Sequence, residues 1–137
     1  SAYEDFSAFK VYLLDVGLLS AMSGLSEQML LQKNDMLREF KGALNEQYVL
    51  QELRTNRKNI IYYWSQDNSQ GEIDFLVQQG DMILPIEVKA EENLQAKSLK
   101  WFVEHHKGLH GLRFSMSNYR EQDWLTNYPL YSVEAIV

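Results

Sequence analysis

The sequence predicts an α/β fold: a mixed β-sheet flanked by helices, with a small helical segment at the N-terminus. Three observations carry this. The stretch from about Met36 to Asn56 has no proline and only Gly42 as an interior breaker, so it suits a long helix. Two short apolar runs, Ile73–Val77 and Ile83–Val88, flank Gly80-Asp81, a glycine-first pair that suits a two-residue hairpin turn. The order helix, three strands, helix, strand then asks for one sheet covered by helices.

Residues 11–24, VYLLDVGLLSAMSG, read as a short strand or turn leading into a helix that stops at Gly24. Ser26 suits the N-cap of a second short helix through Gln32, and Lys33-Asn34-Asp35 marks a boundary. The chain is thus expected to be a single domain over 1–137, with an N-terminal helical segment at 1–34 and an αβββαβ core at 35–137. Within that core Ile60–Trp64 is β-rich, and Asp67–Gly71 is a loop by composition. Leu99, Phe102 and Val103 at helical spacing predict a helix over Ala96–His106 that ends at Gly108. A strand at about Leu109–Met116 and a β-like run at Leu130–Val137 close the chain, without internal repeats or low-complexity segments.

With 137 residues, 45% hydrophobic and 23% charged, the chain has the composition of one globular domain able to bury its own core. The absence of cysteine excludes disulfides, thiolate zinc sites and a cysteine nucleophile, and fits a reducing cytoplasm. No apolar stretch is long enough to span a bilayer, and the first residues lack a signal-peptide pattern, so a cytoplasmic protein without a membrane partner is expected. A net charge of −6 argues against a general nucleic-acid binder. It leaves room for an enzyme that meets a phosphodiester locally, through a metal ion and a few lysines.

The chemistry centres on the hairpin. If Gly80 and Asp81 form the loop, Gln79 faces Met82, Asp74 lies opposite Glu87, and Glu72 lies opposite Lys89. Directly opposed side chains share a face with Cβ atoms roughly 4.5–5.5 Å apart. Two carboxylates that close repel unless a positive charge stands between them, and a divalent cation with oxygen ligands supplies one. The bland alternative is an exposed acidic ribbon with a Glu72–Lys89 ion pair worth at most about 1 kcal/mol. Along the second strand Leu84, Ile86 and Val88 point one way and Ile83, Pro85, Glu87 and Lys89 the other, so one face packs and the other carries the chemistry. Lys89 there can orient a water or neutralise charge building on a phosphate, or simply serve as counter-ion.

Glu46 is the third carboxylate. On the long helix, Gly42, Ala43, Val49, Leu50 and Leu53 fall within about 60° of it. A glutamate in an apolar stripe needs a partner. It can carry its charge to water or pair with Arg54 or Lys89; alternatively the stripe packs on the hairpin and delivers Glu46 to the Asp74–Glu87 pair. Other candidates weigh less. His105, His106 and His110 lack companion ligands, Ser98 lacks a nucleophile's partners, and Lys97, Lys100 and Lys107 suit a solvated helix face as well as a nucleic-acid backbone. Tyr62, Tyr63 and Trp64 suit a half-buried strand better than a base-stacking platform. No phosphate-binding G-x-x-x-x-G-K-[ST] loop is present, so this chain alone is not expected to hydrolyse ATP.

A glutamate on a leading helix (Gly42–Glu46), then Glu72-Ile73-Asp74, then Glu87-Val88-Lys89 on a hairpin, resembles the PD-(D/E)XK nuclease superfamily, with Ile73 where the superfamily's name has proline. FKVYLLDVGLLSAMSGL, KGALNEQYVLQEL, IYYWSQDNSQGEIDFLV and ILPIEVKA with the later KSLKWF together resemble the nuclease-like C-terminal domain of prokaryotic AAA-type ATPases. The resemblance implies a restriction-endonuclease-like core acting on DNA. It assigns Mg²⁺ (or Mn²⁺) to Asp74 and Glu87, completion of the site to Glu46, assistance in catalysis to Lys89, and an ATPase part upstream of this sequence. A non-catalytic regulatory module of that ATPase, keeping the fold, is the alternative.

Overall fold

The computed structural model describes residues 7–24, 26, 28, 37–66, 71–90 and 95–137. Its elements in chain order are α1 (Val16–Ser23), α2 (Arg38–Leu53), β1 (Ile60–Ser65), β2 (Glu72–Gln79), β3 (Met82–Lys89), α3 (Lys97–His105), β4 (Gly111–Ser115), β5 (Arg120–Glu121), β6 (Leu125–Pro129), a 3₁₀ turn (Leu130–Ser132) and α4 (Val133–Ile136). Apart from 26 and 28, the expected helix from Ser26 to Gln32 and the boundary at 33–35 lie outside the described residues. So does the expected loop, apart from Gly71.

The first helix is delimited as its sequence requires. Asp15 accepts a hydrogen bond from the Leu18 N–H at 2.8 Å, and Gly24 takes the left-handed conformation at φ 67° that closes a helix C-terminus. The end of α2 falls three residues before the expected Asn56. Thr55 Oγ1 donates to the Glu52 carbonyl and Asn59 Nδ2 to the Leu53 carbonyl, so polar side chains take over the terminal acceptors and stop the helix.

The described strands form one mixed sheet in the order β1-β2-β3-β4-β6-β5. The three leading strands are antiparallel, β3-β4-β6 are parallel, and β5 returns antiparallel on β6. Val49 and Leu53 of α2 pack with Phe75, Val77, Ile86, Val88, Leu112, Phe114 and Val133 in one buried cluster. Leu99, Phe102 and Val103 of α3 pack with Ile73, Ala96 and Leu125 in a second. The sheet is therefore covered by helices, as expected, and on both faces.

The hairpin has the anticipated register, from Gln79↔Met82 to Phe75↔Ile86, with Gly80 at φ 59° in the turn. Two other expectations are corrected. Leu130–Val137 is not a strand: Pro129, at φ −57° and without an N–H, ends β6, and the chain turns through a 3₁₀ segment into α4. The true terminal strand is the preceding Leu125–Pro129. Nor is the Glu87 face of β3 open, because Pro85 and Glu87 are buried along with Ile86 and Val88.

Candidate functional site

A bulge shapes the site. Tyr62 pairs with Leu76 but Trp64 with Ile73, so Tyr63 alone stands opposite both Asp74 and Phe75. The extra residue breaks the alternation of β2 and sends Ile73 into the α3 cluster while Phe75 and Val77 join that of α2. The β2–β3 ladder stops at Phe75↔Ile86; beyond it Glu72 and Ile73 pair with β1, and Val88 and Lys89 with β4. The two strands part, and Asp74 fills the fork. Its Oδ2 accepts a hydrogen bond from the Val88 N–H at 2.7 Å, replacing the ladder bond that the divergence removes.

The expected Glu72–Lys89 opposition does not form because of this divergence. Lys89 Nζ instead lies 2.6 Å from Glu87 Oε1 on its own strand. Glu72 pairs with Lys10, a residue the sequence reading did not single out. Lys10 Nζ also lies 3.7 Å from Glu46 Oε2 and 3.8 Å from Asp74 Oδ1, and 5.6 Å from the centre of the Tyr63 ring. Tyr12 Oη donates to Glu46 Oε2 at 3.3 Å, and its ring packs against Phe75.

The strap that carries Lys10 and Tyr12 is held by α2. Gln47, almost fully buried, accepts from the Leu13 N–H at 2.9 Å and donates to the Leu13 carbonyl at 3.0 Å. Gln51 Oε1 accepts from the Val16 N–H at 3.1 Å. The buried stripe of α2 is accordingly Gln47, Val49 and Leu53, not one centred on Glu46, and Ala43 is exposed. Glu46 sits at the margin of that stripe, where the strap reaches it.

The four site residues read from the sequence thus fall into two linked groups. Glu46 and Asp74, joined by Glu72, surround the Lys10 ammonium. Glu87 and Lys89 form the other group, near enough for the Glu87 charge to be felt at Asp74. Among the described residues no group of three or more His, Cys, Asp or Glu side chains is gathered closely enough to hold a metal ion.

Burial raises the pKa of Asp74 to about 7, and the Glu46 charge adds to the effect. The Val88 hydrogen bond and Lys10 act in the opposite direction, while Glu87 adds a smaller upward push. Glu87 is likewise pushed up by burial, against the pull of the Lys89 hydrogen bond and the charges of Lys89 and Arg113. Burial lowers Lys10, but its hydrogen bond to Glu72 and the charges of Glu46, Asp74 and Glu72 outweigh that and leave it raised. Tyr12 is strongly raised by burial, then by the neighbouring carboxylates, so it stays a donor.

One atom bears on whether a cation suits the site. Glu87 Oε2 is buried and has no hydrogen-bond partner among the described residues. An unpaired oxygen on a buried carboxylate is costly. Asp74, the other carboxyl that burial pushes up, feels the Glu87 charge. Two oxygen donors of this kind suit a hard divalent cation better than a soft one. Their oxygen chemistry suits a hard cation, while among the described residues they are not gathered with a third such side chain.

Behind Glu87, Arg113 on the neighbouring strand donates through Nε to Asn127 Oδ1, which also accepts from Ser115 Oγ, both at 2.8 Å. This buried polar row was not legible beforehand, because the sequence reading placed no strand at Leu125–Pro129 and so gave Arg113 no neighbour there. The three histidines stay apart from the carboxylates: His105 and His106 bond back to carbonyls of α3, and His110 to Thr126.

A family model described as a domain of unknown function (DUF4143) matches residues 41–133. That range includes Glu46, Asp74, Glu87 and Lys89 and leaves out Lys10 and Tyr12. No curated protein and no solved structure matches the chain.

Proposed function

Because the chain belongs to the DUF4143 family, a domain of unknown function, we propose its activity from the site itself: a metal-dependent phosphodiesterase of the PD-(D/E)XK kind, acting on DNA. Two observations support this reading: Asp74 bonded to the Val88 N–H where β2 and β3 part, and the unpartnered buried oxygen of Glu87, the residue before Val88. Asp74 and Glu87 would hold Mg²⁺ or Mn²⁺, with Glu46 completing the acidic surround. Such an ion, when bound, supplies positive charge to a phosphate and lowers the pKa of an attacking water.

The chain's own groups have separable tasks. Lys89, held at 2.6 Å on Glu87 and about one-third exposed, presents an ammonium to the charge that builds on a phosphate. The Val88 N–H fixes the Asp74 carboxylate, and Arg113 offsets the charge of Glu87 from behind. An AAA-type ATPase part of the full-length protein is the proposed partner that delivers or gates the DNA.

A second reading is favoured by one observation. Lys10 already sets an ammonium among Glu46, Glu72 and Asp74, as a non-catalytic module serving the ATPase would need. Cleavage of plasmid and single-stranded DNA in Mg²⁺ or Mn²⁺ separates the two. The nuclease reading expects metal-dependent cleavage that Asp74→Ala reduces by about 10²-fold or more, an effect of the size seen when a key charge stabiliser is removed. Equal cleavage by wild type and variant, or none by either, counts against it.

A further inference from the structure

The N-terminal strap is fastened to the site mainly by polar contacts, with the Tyr12 ring packed on Phe75. Phe9, Val11 and Leu14 are 75%, 79% and 82% exposed, so its apolar side chains contribute little burial. A cavity of about 240 Å³ lies between strap and helix, lined in part by Tyr12, Leu13, Leu19 and Ala43. What holds the strap is the set already described: Lys10 on three carboxylates, Tyr12 on Glu46, and Gln47 and Gln51 on the backbone.

Resting on the metal-site reading above, we infer that Lys10 is a resident counter-ion that closes the acidic site, and that the docked strap and a divalent cation exclude one another there. The reason is charge and space together. Asp74 faces the fork with one oxygen on Val88 and the other toward Lys10. A cation drawing on that oxygen would bind an atom already 3.8 Å from an ammonium, and like charges crowded on one carboxylate repel strongly in a partly buried site. Once Lys10 leaves, the strap loses one of its ties, and its exposed apolar residues do not replace it. Binding of the ion thereby loosens the strap, and docking of the strap lowers affinity for the ion by the same factor.

Calorimetric titration of Mn²⁺ into wild type, Lys10→Met and Lys10→Arg tests this, together with amide exchange at Leu13 and Val16. Lys10→Met is expected to bind Mn²⁺ more tightly by on the order of tenfold, the effect of removing one nearby unit charge. Lys10→Arg keeps the charge and should bind no more tightly than wild type. Saturating Mn²⁺ should also speed exchange at the Leu13 and Val16 amides of wild type. Equal or weaker binding by Lys10→Met, or unchanged protection with Mn²⁺ bound, overturns the inference. If both proteins bind Mn²⁺ equally and Asp74→Ala abolishes binding, the metal site stands and only the exclusion falls. If no protein binds Mn²⁺, the metal reading falls and takes the inference with it.

Discussion

Asp74→Asn should make the metal-free protein more stable than wild type at pH 8, by an amount that shrinks as the pH is lowered to 5. Burial and the nearby Glu46 raise Asp74 to about 7 in the folded chain, against an ordinary value of 3.8. Between those values the folded state keeps a proton that the unfolded state releases. Stability from this group is therefore fully present below about pH 4 and is lost as the pH rises through about 7. At pH 8 the whole cost of ionising the buried carboxylate applies, roughly 4 kcal/mol at about 1.4 kcal/mol per pKa unit. Asparagine retains an oxygen to accept the Val88 N–H and carries no charge to desolvate. Loss of the 3.8 Å contact with Lys10 takes back part of the gain. Urea denaturation of both proteins in chelator at pH 5 and pH 8 reads the difference. A variant less stable than wild type at pH 8 contradicts the account. Stability gained by deleting a charge at this fork is what a site built for a ligand shows.

Gln47→Leu should have the second large effect, in the other direction. Leucine keeps the apolar volume of this buried position but leaves the Leu13 N–H and carbonyl without their partners. Each partly buried group so stranded costs about 1–3 kcal/mol, so a loss of about 2–6 kcal/mol is expected in urea denaturation. Faster amide exchange at Leu13 and Val16 should accompany it, because the strap is released before the core opens. Gln47→Glu retains the acceptor for the Leu13 N–H and should fall between the two. A loss under about 0.5 kcal/mol, the range of an ordinary surface change, would show that Gln47 does not clamp the strap.

The hairpin was readable in the sequence because turn chemistry and alternation agree there. Gly80 suits a left-handed turn, and the observed pairing keeps the expected register as far as Phe75↔Ile86, one step short of Asp74 and Glu87. The bulge was not readable: one extra residue opposite Tyr63 changes no composition, yet it parts β2 from β3 and moves Glu72 away from Lys89. Lys10 and Tyr12 were hidden by an inverted pattern. Their apolar neighbours Phe9 and Val11 face outward, so hydrophobicity points to the wrong side of the strap. Gln47 was missed for a related reason, since its burial rests on hydrogen bonds to a segment distant in sequence. Leu130–Val137 misled because Val133, Ile136 and Val137 suit a strand by type, while their spacing also fits one side of the short helix that spans Val133–Ile136 and is capped by Val137.

The proposed function depends on a divalent cation sitting between the carboxylates of Asp74 and Glu87. Anomalous diffraction from a crystal soaked in Mn²⁺ tests this directly. The account predicts a peak within about 2.0–2.6 Å of an oxygen from each carboxylate, the range of hard-cation bonds, with the Lys10 ammonium displaced from Asp74. Full Mn²⁺ soaking that leaves no peak in the fork, with Lys10 still among Glu46, Glu72 and Asp74, would contradict it.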